Sequence, residues 1–190
     1  MSTVVVVKKN GFACIAADTM TCFGSNKQQA TYDAHPSKIL SVGESYLGLV
    51  GSAAHNIVVE SIFSRKKKMP KFQSRLEIFE VFRKLHRHLK EEYFLNPKED
   101  ERDPYESSQM DMFIANRCGI FGIYSLREVF EYNQFWALGS GGEYALGAMY
   151  AAYKHFDKAE DIARVGVEAG IEFDDGSGGP INSYGVDLNQ

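Results

Sequence analysis

Cysteine is scarce in this 190-residue sequence: Cys14, Cys22 and Cys118 are odd in number and share no metal-ligand or redox spacing. A disulfide scaffold is therefore excluded, and the pattern fits a reducing compartment, so a cytoplasmic location is expected. A basic excess is also missing, since 21 Lys and Arg face 25 Asp and Glu for a net charge of -4. That argues against nucleic acid as a partner. The run Arg65, Lys66, Lys67, Lys68 is the local exception; it is answered by Glu99, Asp100, Glu101, and both read as solvated loops. No stretch approaches the roughly 18 consecutive apolar residues of a membrane span, and the first residues lack the charged, apolar, small-residue order of a signal peptide. Neither linker nor internal repeat is visible, so residues 1–190 are expected to form one unit.

What is present is a segregated pattern of strands and helices. Val4 to Val7 and Ala13 to Ala17 are short apolar runs joined across Asn10 and Gly11, a strong hairpin signal. Ile39 to Val42 and Tyr46 to Val50 repeat it around Gly43 and Glu44. Helical spacing then takes over, first after Ser52, with Ala53, Ala54, Ile57, Val58 and Ile62, and again from Ser74, with Leu76, Phe79, Phe82, Leu85, Leu89 and Phe94 assigned to one face. A charged surface loop with Pro97 and Pro104 spans 96–108. Strand-like runs follow at Met112 to Ala115, Ile120 to Tyr124 and Glu128 to Trp136. After Gly139, Ser140, Gly141 and Gly142 come helices over Tyr144 to Phe156 and Lys158 to Phe173, and a last strand over Ile181 to Val186. This order predicts an α+β fold with helices layered outside sheets.

Several chemistries have no support. No phosphate-binding glycine loop or dinucleotide fingerprint occurs, and GSGG precedes a helix without the required spacing. His35, His55, His86, His88 and His155 form no zinc pattern, so no metal site is expected. A Ser-His-Asp triad is not ruled out by residue order, but no G-x-S-x-G elbow supports one.

The amino end offers another route. An N-terminal Ser or Thr carries its own nucleophilic hydroxyl and, in its free α-amine, its own base. Such a site needs a nearby cation, an acid to hold that cation, and a backbone N–H to receive an oxyanion. Ser2, Lys38, Asp18 and Gly51 are the candidates for these roles.

The segment STVVVVKKNGFACIAADT resembles the start of proteasome β-type and HslV-like subunits, with Ser2 where that family has a catalytic threonine. The interval from Ser2 to Asp18 matches the family's, Lys38 in PSKIL matches its active-site lysine, and LVGSAAH matches the segment whose first glycine, Gly51, donates the oxyanion-hole amide. ALGSGGEYALGAMYAAY is similar to the family's GSGG-helix motif, with Ser140 as its serine. FDDGSGGPI resembles the closing motif that would supply Asp174 and Ser177, although Asp175 competes with Asp174. The phrases FRKLH, KEEYF and DPYESSQ look most like the subgroup known as the betaproteobacterial proteasome homologue.

This resemblance implies a four-layer αββα sandwich, six- or seven-membered rings stacked face to face, and hydrolysis of polypeptide substrates inside a closed chamber. No cofactor is implied, and an ATP-driven unfoldase is a conceivable partner. Cys22 stands where a family threonine aligns the substrate strand, a role in which backbone bonding matters more than the side chain. Leu49 and Ala53 would line the first specificity pocket and make it apolar. Serine in place of threonine keeps the hydroxyl and loses one methyl. While Met1 is attached, however, the Ser2 nitrogen is an amide and no base. A silent ring-forming scaffold and a small-molecule amidase therefore stand as rival readings.

Overall fold

The computed structural model describes residues 1–98 and 100–189; Glu99, part of the acidic run above, lies outside them. The chain runs β1 (Val4–Lys9), β2 (Phe12–Ala17), β3 (Thr21–Phe23), β4 (Asn26–Gln28), β5 (Ile39–Val42), β6 (Ser45–Gly51), α1 (Ala53–Ser64), α2 (Arg75–Glu91), β7 (Met110–Asn116) and β8 (Gly119–Ile123). It continues through β9 (Val129–Tyr132), β10 (Phe135–Leu138), α3 (Gly142–Ala152), α4 (Ala159–Phe173) and β11 (Asn182–Asp187). One antiparallel sheet has the order β10-β1-β2-β11, a second β5-β6-β7-β8-β9, and β3-β4 forms a small separate pair.

The unbroken VVVV of β1 is explained by burial on both faces, which removes the usual alternation of a half-solvated strand. Val5 and Val7 face a core with Ala145, Met149, Ile162 and Val167 of α3 and α4. Val4 and Val6 face the other way and meet Phe113, Ala115 and Ile120 of the second sheet. That sheet's far side, with Leu47, Leu49, Met112 and Ile114, packs on Val59, Ile62, Phe82 and Leu85 of α1 and α2. Helices, sheet, sheet, helices: the four layers are αββα. The sheets approach so closely at Gly48 that a Cβ there would stand 2.7 Å from Val4 Cγ1.

The first hairpin sets the register on which the site depends. Asn10 and Gly11 both have positive φ, 49° and 79°, as a two-residue turn matching strand twist demands. That turn puts Val4 opposite Ala17, and one step beyond, the Asp18 N–H donates to the Thr3 carbonyl at 3.1 Å. Ser2 and Asp18 therefore emerge side by side at one end of the sheet.

Four points depart from the expected element pattern. The run Glu128 to Trp136 is two strands in different sheets: the chain bends at Asn133 and Gln134, and β10 leaves β9 to pair with β1. The pair β3-β4 was not anticipated, because three-residue strands are too short to show a period. On α2 the buried stripe is Ile78, Phe82, Leu85, His86 and Leu89. Leu76 lies more than half a helical turn round from Ile78 and is 73% exposed, and Phe94, beyond the helix end, is 86% exposed. In addition, α3 stops at Ala152 and not Phe156.

Phe72 is fully buried, edge-on to Phe63 at 6.1 Å and tilted against Phe82 at 6.4 Å. Phe72→Ala is expected to cost about 3–5 kcal/mol by the cavity it leaves. Leu76→Ala should change stability by less than about 0.5 kcal/mol. Urea denaturation of both variants at one protein concentration checks the pair, and equal losses would contradict this assignment of the α2 face.

Candidate active site

Asp18 is completely buried at the end of β2 and accepts from four donors. Its Oδ1 takes Lys38 Nζ at 2.6 Å and the Thr3 N–H at 2.9 Å. Its Oδ2 takes the N–H groups of Gly178 at 3.0 Å and Met20 at 3.2 Å. A carboxylate removed from water is tolerable only with this degree of pairing. Lys38 precedes β5 and is itself buried, at 6% exposure. Burial lowers its pKa, and Asp18, by charge and hydrogen bond, pulls it only part of the way back, with smaller help from Cys22 and Asp174.

A second set of bonds runs from the amino end to the loop after α4. The Ser2 N–H donates to Ser140 Oγ at 3.1 Å. Ser140 and Ser177 each donate to Asp174 Oδ2, both at 2.7 Å. Desolvation raises the Asp174 carboxyl, but the hydroxyls of Ser177 and Ser140, the Gly176 N–H and the Met1 ammonium outweigh it, so its pKa lies below the usual value. Asp175 takes no part and makes an exposed ion pair with Lys27 at 3.4 Å. Ser2 is held from the other side by the Gly141 N–H, which donates to its carbonyl at 3.2 Å. A Cβ at Gly139 would sit 2.1 Å from that same carbonyl oxygen, so the chain has to be bare there.

These groups open on a cleft of about 870 Å³ whose wall includes Ser2, Lys38, Gly51, Cys22, Leu49 and Ala53. Gly51 has φ +129°, a conformation reserved for glycine, at the junction of β6 and the Ser52 cap of α1. Cys22 lies in β3, its Sγ 3.9 Å from the Gly176 carbonyl. The cleft is not purely apolar, since Asp33, Asn56 and Glu60 also line it. The Ser2 hydroxyl donates to the Met1 carbonyl, and the Met1 side chain rests against Gly176. Of the other thiols, Cys14 is buried and pushed up to about 12 by desolvation and then by Glu160, while Cys118 lies outside the cleft.

Six of the ten site candidates line this cleft, and the other four, Asp18, Ser140, Asp174 and Ser177, are linked to Lys38 or Ser2 by hydrogen bonds, directly or through one another, although the ten come from seven separated segments. Sequence reasoning did not single out Thr3, or the backbone donors of Met20, Gly176 and Gly178. The only available signal was the position of Thr3 beside Ser2, because main-chain donors leave no mark on residue identity.

No family model and no curated protein matches the chain. Solved structures do. The structure of Thiobacillus denitrificans BPH in complex with epoxomicin superimposes with a TM-score of 0.93 at 44% identity, covering 99% of this chain and 100% of that one. A second structure, of Thiobacillus denitrificans BPH, gives 0.93 at 45% identity, with 98% of each chain covered. The chain belongs to the betaproteobacterial proteasome homologue family. The eukaryotic HslV of Trypanosoma brucei, at TM-score 0.71 and 19% identity over 97% of this chain and 99% of its own, shares the fold. The αββα layering of this family member is accordingly that of proteasome-like N-terminal nucleophile hydrolases.

Two outcomes are expected from this geometry. Lys38→Met leaves the Asp18 carboxylate buried without its cation and should destabilise the fold by about 3–5 kcal/mol in chemical denaturation. Because Asp174 is depressed in the folded state, its stabilising contribution is present above the unfolded carboxyl value of about 4 and is lost as pH falls through the lower folded value. Asp174→Asn should remove that part of the acid-side loss, so melting temperatures of wild type and variant converge once pH falls below the folded value of the Asp174 carboxyl.

Proposed function

We propose that this member of the family is a peptidase whose nucleophile is Ser2 once Met1 has been removed. Ser2 Oγ attacks the scissile carbonyl while its proton passes, directly or through water, to the Ser2 amine. The Gly51 N–H receives the oxyanion, a contribution typically worth about 2.7–4 kcal/mol. The amine returns the proton to the leaving nitrogen, the C–N bond breaks, and an ester on Ser2 remains. Water, deprotonated by the same amine, attacks the ester carbonyl; the C–Oγ bond breaks, the amine returns the proton to Oγ, and the peptide leaves with a new carboxyl end.

In this scheme the Lys38 ammonium eases formation of the alkoxide, Asp18 holds Lys38, and Asp174 orients the amino end through Ser140 and Ser177. The cleft wall at Cys22, Leu49 and Ala53 receives the substrate strand and the side chain before the cut. The observation that carries the reading is the continuous bonding of the Ser2 nitrogen to an anionic Asp174 on one side, with Lys38, paired to the buried Asp18, lining the same cleft as Ser2. The complex of the Thiobacillus denitrificans relative with epoxomicin supports it as well. The reading also carries a cytoplasmic location and enclosure in stacked rings, so that substrates reach Ser2 as extended chains.

A second reading is a silent ring-forming scaffold: while Met1 is attached, the Ser2 hydroxyl donates to the Met1 carbonyl and the Ser2 nitrogen is an amide. Intact mass separates the two. After treatment with epoxomicin, itself a peptide epoxyketone, the protein should gain one inhibitor mass per chain on a species lacking Met1. Ser2→Ala should gain none. A chain retaining Met1 throughout, unmodified in assembled protein, would contradict the peptidase reading.

A further inference from the structure

Thr3 stands where four segments around the cluster meet. Its side chain is fully buried and fills the space a Cβ would need at Gly141, next to Ser140, and at Gly170, one turn ahead of Asp174. Its N–H donates to Asp18 Oδ1 at 2.9 Å, and its hydroxyl lies 2.8 Å from Ser177 Oγ. One residue therefore touches the start of α3, the last turn of α4, the loop that follows it, and the buried carboxylate.

Counting protons fixes the direction of the hydroxyl bond. Ser177 has a single hydroxyl proton and gives it to Asp174 Oδ2. Ser140 gives its own to the same oxygen, and an ionised Asp174 has none to return. Thr3 must then donate to Ser177. At the other end Ser140 Oγ, its proton already committed, accepts only, so the Ser2 nitrogen must donate to it. In a chain lacking Met1 this orientation turns an N–H toward Ser140 and leaves the lone pair of the neutral amine free for the proton of the Ser2 hydroxyl.

We infer that Thr3 is a positioning residue: through Ser177 it keeps Asp174 anionic and holds the Ser2 nitrogen in its donating orientation. Hydrogen bonds in a chain polarise one another, so a serine that itself receives a bond is the stronger donor to the next acceptor. Without the Thr3 hydroxyl, the bond from Ser177 to Asp174 weakens and Asp174 takes up a proton at higher pH. The inference rests on the peptidase reading of the same site.

The test compares Thr3→Val, which keeps the shape and loses the hydroxyl, with Thr3→Ser, which keeps the hydroxyl, in peptide hydrolysis and in melting temperature across pH. Thr3→Val should lower kcat by about 5- to 10-fold, the worth of one neutral hydrogen bond, with KM unchanged. The part of the acid-side fall in melting temperature that Asp174 contributes should shrink, because its folded carboxyl then lies nearer its unfolded value, and Thr3→Ser should restore both. Should Thr3→Val not fold, Ser177→Ala carries the test, since its acid-side fall must shrink the same way. Equal losses of kcat in Thr3→Val and Thr3→Ser, or an acid-side fall unchanged in Thr3→Val or Ser177→Ala, would overturn the inference. The underlying reading fails separately, by Ser2→Ala hydrolysing peptide as wild type does.

Discussion

Asp18 is the constraint around which the site is arranged. A carboxylate with no exposure to water must find donors for both oxygens, and it finds them in four places far apart in sequence: Thr3, Met20, Lys38 and Gly178. Satisfying Asp18 thus ties the amino end of β1, the exit of β2, the entry to β5 and the loop before β11 into one corner. Breaking one partner would leave a charge stranded in a low-dielectric interior, and that penalty makes the corner stiff. Stiffness is what the proposed chemistry requires, because a nucleophile and its base act efficiently only when their geometry is already set.

The two polar sets have different tasks. The Asp18–Lys38 pair presents a positive charge whose pKa is lowered by its own burial. The Asp174 set reaches a partly exposed acid through two serine hydroxyls and, in the proposed mechanism, orients the Ser2 nitrogen, with no cationic side chain of its own. Both meet at Ser2, one through its neighbour Thr3 and the other through its nitrogen. Methionine at position 1 sets the character of that meeting point. Its peptide makes the Ser2 nitrogen an amide, which donates to Ser140 but has no lone pair to accept a proton.

Much of the layering could be read from residue patterns because its causes are local. Asn10-Gly11 between two apolar runs dictates a tight hairpin, and the hairpin's register carries Ser2 to Asp18. The unalternating valines announce a sheet covered on both sides. Patterns of the same kind misled where two cores compete: Glu128 to Trp136 reads as one strand because both halves are apolar enough, yet β9 serves one sheet and β10 the other. The stripe on α2 was misassigned because Leu76 and Phe79 are large and apolar but lie off the buried face, and hydrophobicity does not say where a helix's neighbour ends. In the site, side chains with distinctive chemistry were visible through motif spacing. The Met20 and Gly178 amides were not, since any residue supplies an N–H, and the role of Thr3 follows only from counting protons along a chain of contacts.

The central claim is that the amine of Ser2 is the base. Two preparations of the same chain decide it, one beginning at Ser2 and one retaining Met1, both assembled to the same size and assayed for peptide hydrolysis over a range of pH. The account predicts hydrolysis from the Ser2-first protein, with a rate that rises as its amine loses a proton, and none from the Met1-bearing protein. Equal hydrolysis by both would mean that the proton goes elsewhere, and the account would be wrong.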